Sequence, residues 1–520
     1  MTSLALLLLA AATAFWVAHV FRIPSIPLLL IAGVITSAVV PVPPDFLEDT
    51  LLLGVVVILF VAGIELNPQR VGRYRGLAIR IGMIEFFALG GAAFGVSLLM
   101  GFSIVTAAYI GLAISASSTL VVVRLLQQRQ ELYTPMGRTV TGVLLTQDLL
   151  VVILVPVVIG LADGWGAVGI GLASTLGLMA LAGVTLRWIA PRLIPWVAED
   201  EEFLLLTVFG VLFVFLGLAN FLGVPMVVGA FLAGVTLSPF PVSALVRGQL
   251  NSLGDFFSAI FFTALGALLV LPTPAELGQA LLLALLLVLL TPPIVTLISE
   301  RSGFSARVGI GGGLLLAQAS EFSLIVGLQG VVLGQLDERT FSLIALVTVI
   351  TMVLTPLLGT GRVTGWLLRL HPFREPETPG SPPSDHVLLV GCGTSGEAIL
   401  ETLVGGPHEI WVVDDDPVVV TRVREAGFDV VFGDATDLEV LRNAGAHEAR
   451  IVISTIRNRE DCAALLALAS DVPVLVRTFE AADARWVEER GGIAVSYAEA
   501  GMEDFVRWFL EEGHRIRSTG

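Results

Sequence analysis

The chain has 520 residues, of which 55% are hydrophobic and 14% charged, against roughly 25% charged in soluble domains, so an ordinary soluble enzyme is excluded. Charge is unevenly spread: residues 373–520 hold 13 of the 29 basic and 27 of the 45 acidic side chains, leaving a nearly uncharged front and an acidic back. That back is long enough for one compact core and too acidic to favour nucleic acid, and because every basic residue is Arg, Schiff-base and Walker-type Lys chemistry is excluded.

In chain order, apolar segments long enough to span a bilayer lie near 2–20, 25–41, 50–66, 78–100, 103–126, 138–161, 166–190, 202–222, 225–240, 252–272, 276–298, 307–334 and 340–361. The first lacks a basic leader and runs into the second, so it reads as a retained helix and not as a cleaved signal. Of the 16 arginines in residues 1–372, 15 flank loops that follow odd-numbered spans, and only Arg339 falls on the other side. Since cytoplasmic loops accumulate basic residues, this places the N-terminus outside and the acidic back in the cytoplasm, across a cell inner (plasma) membrane. Cys392 and Cys462 are the only cysteines and both lie in the back, so no disulfide framework or Cys-based zinc site is expected.

Residues 1–370 are thus expected to form the membrane domain. His371–Asp385, reading HPFREPETPGSPPSD, would be an extended linker, and residues 386–520 a cytoplasmic domain.

Carboxylates inside spans are costly and mark ion or proton pathways. Glu65 and Asp255 lie near span ends and read as solvated or cap-forming acids. Glu85 sits deeper and reads equally as a structural or a pathway acid. Asp148 lies mid-span in Thr146-Gln147-Asp148, where an ionised side chain must be neutralised by a proton or compensated by a cation. A group that holds either, but not both, couples their movements by competition.

The fifth span carries Ser115-Ala116-Ser117-Ser118-Thr119. The twelfth carries Gly311-Gly312-Gly313 ahead of Ala317-Gln318-Ala319-Ser320-Glu321. Such runs predict broken helices whose unwound backbone lines a cavity. The two lie seven spans apart, so spans 4–6 and 11–13 have opposite orientation, as an inverted repeat requires.

Five stretches carry a family resemblance: Leu59–Leu66 (LFVAGIEL), Ser115–Leu126 (SASSTLVVVRLL), Gln147-Asp148, Val228–Gly234 (VGAFLAG) and Leu316–Phe322 (LAQASEF). In this order they resemble the monovalent cation:proton antiporter superfamily, and within it the Kef-type potassium efflux branch. The resemblance implies a homodimer in which spans 4–6 and 11–13 move against a scaffold by elevator-like alternating access. It also implies that Asp148 binds K⁺ or Na⁺, that Gln147 with Ser117 or Thr119 supplies ligands or hydrogen bonds, and that Gln318 and Glu321 stand at the second broken helix. Members with two adjacent carboxylates are generally electrogenic, so Gln147 in the first place favours electroneutral exchange of one cation for one proton. Other branches place a basic residue near the crossing, and this chain has none there.

The cytoplasmic domain opens with an apolar run, His386–Val390, entering Gly391-Cys392-Gly393-Thr394-Ser395-Gly396, a GxGxxG between a strand and a helix. A second strand, His408–Val413, ends in Asp414-Asp415-Asp416, where an acid can bind ribose hydroxyls. A third, Asp429–Phe432, leads into Gly433-Asp434-Ala435-Thr436, and a fourth, Arg450–Thr455, follows. These features resemble the regulator-of-potassium-conductance, or KTN, nucleotide domain. By that resemblance the loop Gly391, Gly393, Thr394, Ser395 and Gly396 holds phosphate, Asp414 ribose, Asp434 lies near adenine, and Arg477 lines the pocket or a dimer seam. The segment from Gly501, GMEDFVRWFL, reads as amphipathic.

The fold expected is therefore a multi-pass α-helical membrane protein with a cytoplasmic α/β Rossmann-like domain. The function expected is a potassium- or sodium/proton antiporter, not an enzyme. An adenine nucleotide (AMP, ADP, ATP or NAD(H)) would regulate it, with no tightly bound metal. A nucleotide-gated potassium efflux channel is the alternative. A membrane-bound NAD-dependent oxidoreductase is less favoured, since no second substrate domain follows and the six His are scattered.

Overall fold

The structure is a computed structural model that describes residues 2–21, 24–39, 44–65, 74–129, 131–132, 134–197, 200–238, 244–370, 384–436, 438–456, 459–468 and 471–496. Residues 371–383 of the expected linker and the segment from Gly501 lie outside the described residues. The chain forms two compact units. One comprises Met1–Leu125, Met136–Ile298 and Ile310–Thr360; the other comprises Leu126–Pro135, Ser299–Gly309 and Gly361–Gly520.

Apolar sequence forces the first unit to satisfy its backbone polar groups internally, and it does so with helices. These are α1 (Thr2–Phe21), α2 (Ser25–Val39), α3 (Pro44–Glu65), α4 (Arg75–Leu99), α5 (Ile104–Ile114), α6 (Thr119–Gln128) and α7 (Pro135–Gly160). α8 (Trp165–Val184) continues through one π-helical turn, Thr185–Ile189, into α9 (Ala190–Val197). Then come α10 (Glu201–Phe221), α11 (Met226–Leu237), α12 (Ala244–Ala267), α13 (Pro274–Arg301), α14 (Ala306–Leu316), α15 (Glu321–Val332) and α16 (Glu338–Leu358). Among the described residues nine stretches are long and apolar enough to cross a membrane, counting α5–α6 and α14–α15 as one each. The shorter apolar helices α1, α2, α3 and α11 complete the thirteen segments read from the sequence.

Packing sorts these helices into two groups. α1, α2, α3, α10, α11 and α12 pack on one another, while α4 packs on α5, and α5 on α15 and α16; α16 also touches α2, where the groups meet. A close crossing in the first group is that of α3 and α11: a Cβ on Gly63 would sit 2.2 Å from Phe231 O, and one on Gly234 2.1 Å from Phe60 O. Each glycine therefore admits the other helix's backbone.

In the second unit, α17 (Gly361–Arg369) precedes an alternating run: β1 (Val387–Val390), α18 (Thr394–Leu403), β2 (Ile410–Asp414), α19 (Pro417–Glu425), β3 (Asp429–Phe432) and α20 (Leu438–Asn443). It continues with β4 (Ile451–Ser454), α21 (Arg459–Leu468), β5 (Val474–Thr478), α22 (Ala481–Glu488) and β6 (Ile493–Ser496). The six strands are parallel in the order β3-β2-β1-β4-β5-β6, the doubly wound arrangement that binds ligands outside the strands' carboxyl ends at the reversal beside β1. Central β1 is buried along its whole length, which explains its uninterrupted Val-Leu-Leu-Val. The sequence reading marked four of these strands; β5 and β6 extend the sheet beyond them.

Candidate exchange site and nucleotide loop

Both helix breaks expected from the sequence are present, each four residues long: Ser115–Ser118 between α5 and α6, and Ala317–Ser320 between α14 and α15. Ending a helix strands its last carbonyls, and here serines from the opposite pair satisfy them. Ser117 Oγ donates to Leu316 O at the end of α14 at 2.7 Å, and Ser323 Oγ, on α15, donates to Ala113 O near the end of α5. The exchange is reciprocal, as an inverted repeat would make it. Thr351 on α16 supports the second break by accepting the Ala319 N–H at 3.0 Å.

Three buried carboxylates address the end of the first break and the start of α6, Glu85 only through Gln147. Asp148, on α7 and 3% exposed, accepts from Thr119 Oγ1 through Oδ2 at 2.9 Å. Glu321, the first residue of α15, accepts from Ser118 Oγ through Oε2 at 2.6 Å. Glu85, on α4 and fully buried, accepts from Gln147 Nε2 at 2.6 Å, and Gln147 Oε1 in turn accepts the Ser117 N–H at 3.0 Å. Asp148 Oδ1 and Gln318 Oε1 have no hydrogen-bond partner among the described residues, although both are buried acceptors at the breaks. The N-termini of α6 and α15 open at the same breaks, adding positive helix-dipole ends beside the acids.

Asp148, Gln147, Ser117, Thr119 and Glu321 are thus drawn into one buried network. Gln318 lies on the second break but bonds only locally, its Nε2 reaching Leu315 O at 3.4 Å. Ser118 and Glu85 join this network without having been assigned to it from the sequence. Ser118 was readable from its place in the serine run; Glu85 was read from its depth in the span as equally a structural or a pathway acid. Asp255 is the exposed acid expected near a span end, 3.4 Å from Arg124.

In the second unit the three loop glycines have different reasons to be glycine. Gly391 has φ +83°, and a Cβ on Gly396 would lie 2.1 Å from Gly391 O, whereas a Cβ on Gly393 would meet open space. The first thus makes the turn, the last lets α18 close on the strand, and the middle one leaves the backbone accessible to a phosphate. Of Thr394 only the backbone is described, at the first position of α18; Ser395 follows it there.

Asp414 clamps this loop. Its Oδ2 accepts the Cys392 N–H at 2.6 Å and its Oδ1 the Asp416 N–H at 2.8 Å. Burial pushes its carboxyl up to about 6 against these bonds. Neighbouring Asp415 is likewise raised, by burial first and then by Asp414 and Asp434. Burial also pushes the Cys392 thiol to about 11 and that of Cys462 to about 12, so both stay protonated and unreactive at neutral pH.

Asp434 is engaged by a residue far away in sequence. Arg307 Nε lies 2.6 Å from its Oδ2, while Arg307 also bonds Thr436 Oγ1 and reaches Asp461 Oδ1 at 2.8 Å. Arg477, at the end of β5, stacks over Phe479 with 4.6 Å to the ring centroid.

With this geometry in hand, comparison with known proteins is decisive for the first unit: residues 5–360 match the family described as sodium/hydrogen exchanger, transmembrane. The chain belongs to the sodium/hydrogen exchanger family. Behind the exchanger region, residues 387–496 match the TrkA-N domain. YbaL of Escherichia coli (strain K12), which carries the designation of a cation/proton antiporter, is 26% identical over 95% of this chain and 93% of its own length. The glutathione-regulated potassium-efflux system protein KefC of Shigella flexneri serotype 5b (strain 8401) is 26% identical over 78% of this chain and 66% of its own length. A crystal structure of the TrkA-N domain of the Escherichia coli inner membrane protein ybaL aligns with 25% of this chain at 25% identity and a TM-score of 0.23. The Kef-type resemblance drawn from the sequence agrees with the two curated relatives, and the nucleotide-domain resemblance with the TrkA-N match.

Proposed function

We propose that the chain is a Kef-type antiporter exchanging K⁺ or Na⁺ for H⁺, with Asp148 as the exchange carboxylate. The observation that carries this reading is Asp148 itself. It is buried beside a broken helix, one oxygen held by Thr119 and the other without a partner among the described residues. Leaving an ionised oxygen so is prohibitively costly, so either a proton or a monovalent cation completes the site. Their competition for one group makes exchange obligatory. In this reading Ser117, Thr119, Gln147, Gln318 and Glu321 supply the remaining ligands or hydrogen bonds, and Gln318 Oε1, buried without a partner among the described residues, supports a second oxygen for the cation.

Gln147 beside Asp148 supports electroneutral exchange, one cation for one proton. The packing of α4, α5, α15 and α16 on one another supports an elevator-like core moving against the other group, and the reading includes a homodimer. The arginine distribution supports an outside N-terminus and a cytoplasmic TrkA-N domain in the inner membrane. We take residues 1–370 as the exchanger, 371–385 as linker and 386–520 as regulator. The open face at Gly393 supports a regulatory adenine nucleotide there.

The test is cation-driven proton flux in proteoliposomes. Asp148→Asn keeps shape and hydrogen bonding but cannot exchange a proton, so flux should vanish while the protein still purifies; retained flux defeats the assignment. In the wild type an imposed potential of about 100 mV, worth about 2.3 kcal/mol per charge, should drive no net cation movement, and if it does the one-for-one ratio is wrong.

A further inference from the structure

The amide of Gln147 is engaged at both ends. Ser117 N–H can only donate, so the oxygen Oε1 must face it, and Nε2 is thereby turned toward α4. There Glu85 Oε2 accepts at 2.6 Å. A side-chain amide has no preferred orientation of its own; its partners set it. Removing the acceptor on α4 would leave a buried N–H unsatisfied and release the amide to rotate, and with it the Ser117 N–H.

The fold delivers Glu85 to this point through a close helix approach. Gly82 is one turn earlier on the same face of α4, and a Cβ there would lie 2.9 Å from Thr146 Cβ and 3.3 Å from Val143 O on α7. With α4 pressed onto α7 at Thr146, the next residue of α7, Gln147, falls within reach of Glu85. The acid is completely buried, and its Oε1 has no hydrogen-bond partner among the described residues. Nothing in the contact requires a charge on Glu85; an acceptor oxygen suffices.

We propose that Glu85 is a positioning residue of the exchange site: through Gln147 it fixes the backbone of the first helix break at Ser117, and so the setting of Thr119 against Asp148. This rests on the antiport reading above and assigns Gln147 the work of a strut between α4 and the break. Glu85 touches neither Asp148 nor, by this assignment, the transported cation.

The test uses full-length protein in proteoliposomes, with K⁺ and Na⁺ as probes over a range of concentrations and proton flux as readout. Glu85→Leu should raise the half-saturating cation concentration about tenfold, the scale of one lost buried hydrogen bond, while the maximal rate falls less. Glu85→Gln, whose amide oxygen can still accept from Gln147, should restore the wild-type half-saturation within about twofold and keep the same proton-to-cation ratio and pH profile. Should Glu85→Leu fail to purify, Glu85→Ser, too short to reach Gln147, takes its place with the same expected shift. Wild-type saturation in the Leu or Ser variant would make Glu85 a bystander and overturn the proposal. A changed proton-to-cation ratio in Glu85→Gln would make it a proton carrier and overturn the proposal equally. Absence of cation-driven flux in the wild type would defeat the antiport reading and this one together, whereas failure in the Glu85 variants alone defeats only this one.

Discussion

Asp414 spends both carboxylate oxygens on its own chain, holding the Cys392 and Asp416 amides, and so serves first as the clamp of the glycine loop. Its titration is therefore a stability handle. With the folded carboxyl raised to about 6 by burial and the unfolded one near about 3.9, the folded chain holds the proton more tightly. The stabilisation from the neutral acid is fully present below about pH 4 and is lost as pH rises through about 6, up to ~3 kcal/mol in all. Thermal unfolding of the full chain in detergent should accordingly show a lower transition temperature at about pH 7 than at about pH 5. Asp414→Asn should flatten that difference, and an unchanged slope in the variant would show that other groups carry it. The same residue was expected from the sequence to hold ribose; what the sequence did not reveal is that its oxygens already face the loop, because strand patterning locates the end of β2 but not the direction of a side chain there.

At the scale of elements, most of the architecture was legible because it is written in composition. Runs of Ser and Ala inside apolar spans marked both breaks, although Gly311–Gly313 proved helical within α14, and the seven-span offset marked their opposed orientation. What composition does not carry is which helices touch. The LFVAGIEL and VGAFLAG stretches were recognisable only by resemblance, yet they have a physical meaning: Gly63 and Gly234 are the two sides of the α3–α11 crossing. Gly234→Ala should therefore force a Cβ into Phe60 O and cost about 1–3 kcal/mol or more through overpacking, read as a lower transition temperature of the purified protein. Gly210→Ala on α10, whose Cβ would meet open space, is the matched control and should leave it unchanged or higher. Equal effects from the two would remove the crossing as the cause. Glu85 escaped assignment for a related reason: a lone acid in a span acquires its role only from the helix beside it, and periodicity is silent about neighbours.

Across the whole molecule, the least legible contact is that of Arg307. In the sequence it was one more basic residue following an odd-numbered span, counted only for orientation. In the second unit it neutralises Asp434 and Asp461 at once while bonding Thr436. A nucleotide that engages Asp434 must compete with Arg307 for it, and by linkage whatever loosens Arg307 favours the ligand to the same degree. Arg307→Gln keeps hydrogen bonding but removes the charge-assisted pairs, partly exposed and so worth ~1 kcal/mol. It should tighten nucleotide binding about fivefold in a thermal-shift titration with AMP, ADP, ATP, NAD⁺ and NADH. Proton flux in the same variant should cease to respond to the nucleotide that shifts the wild type, while Asp414→Ala should weaken binding by unfastening the glycine loop. If no nucleotide binds the wild type, the TrkA-N domain is only an assembly module. If Arg307→Gln binds as the wild type does, Arg307 does not compete with the nucleotide for Asp434.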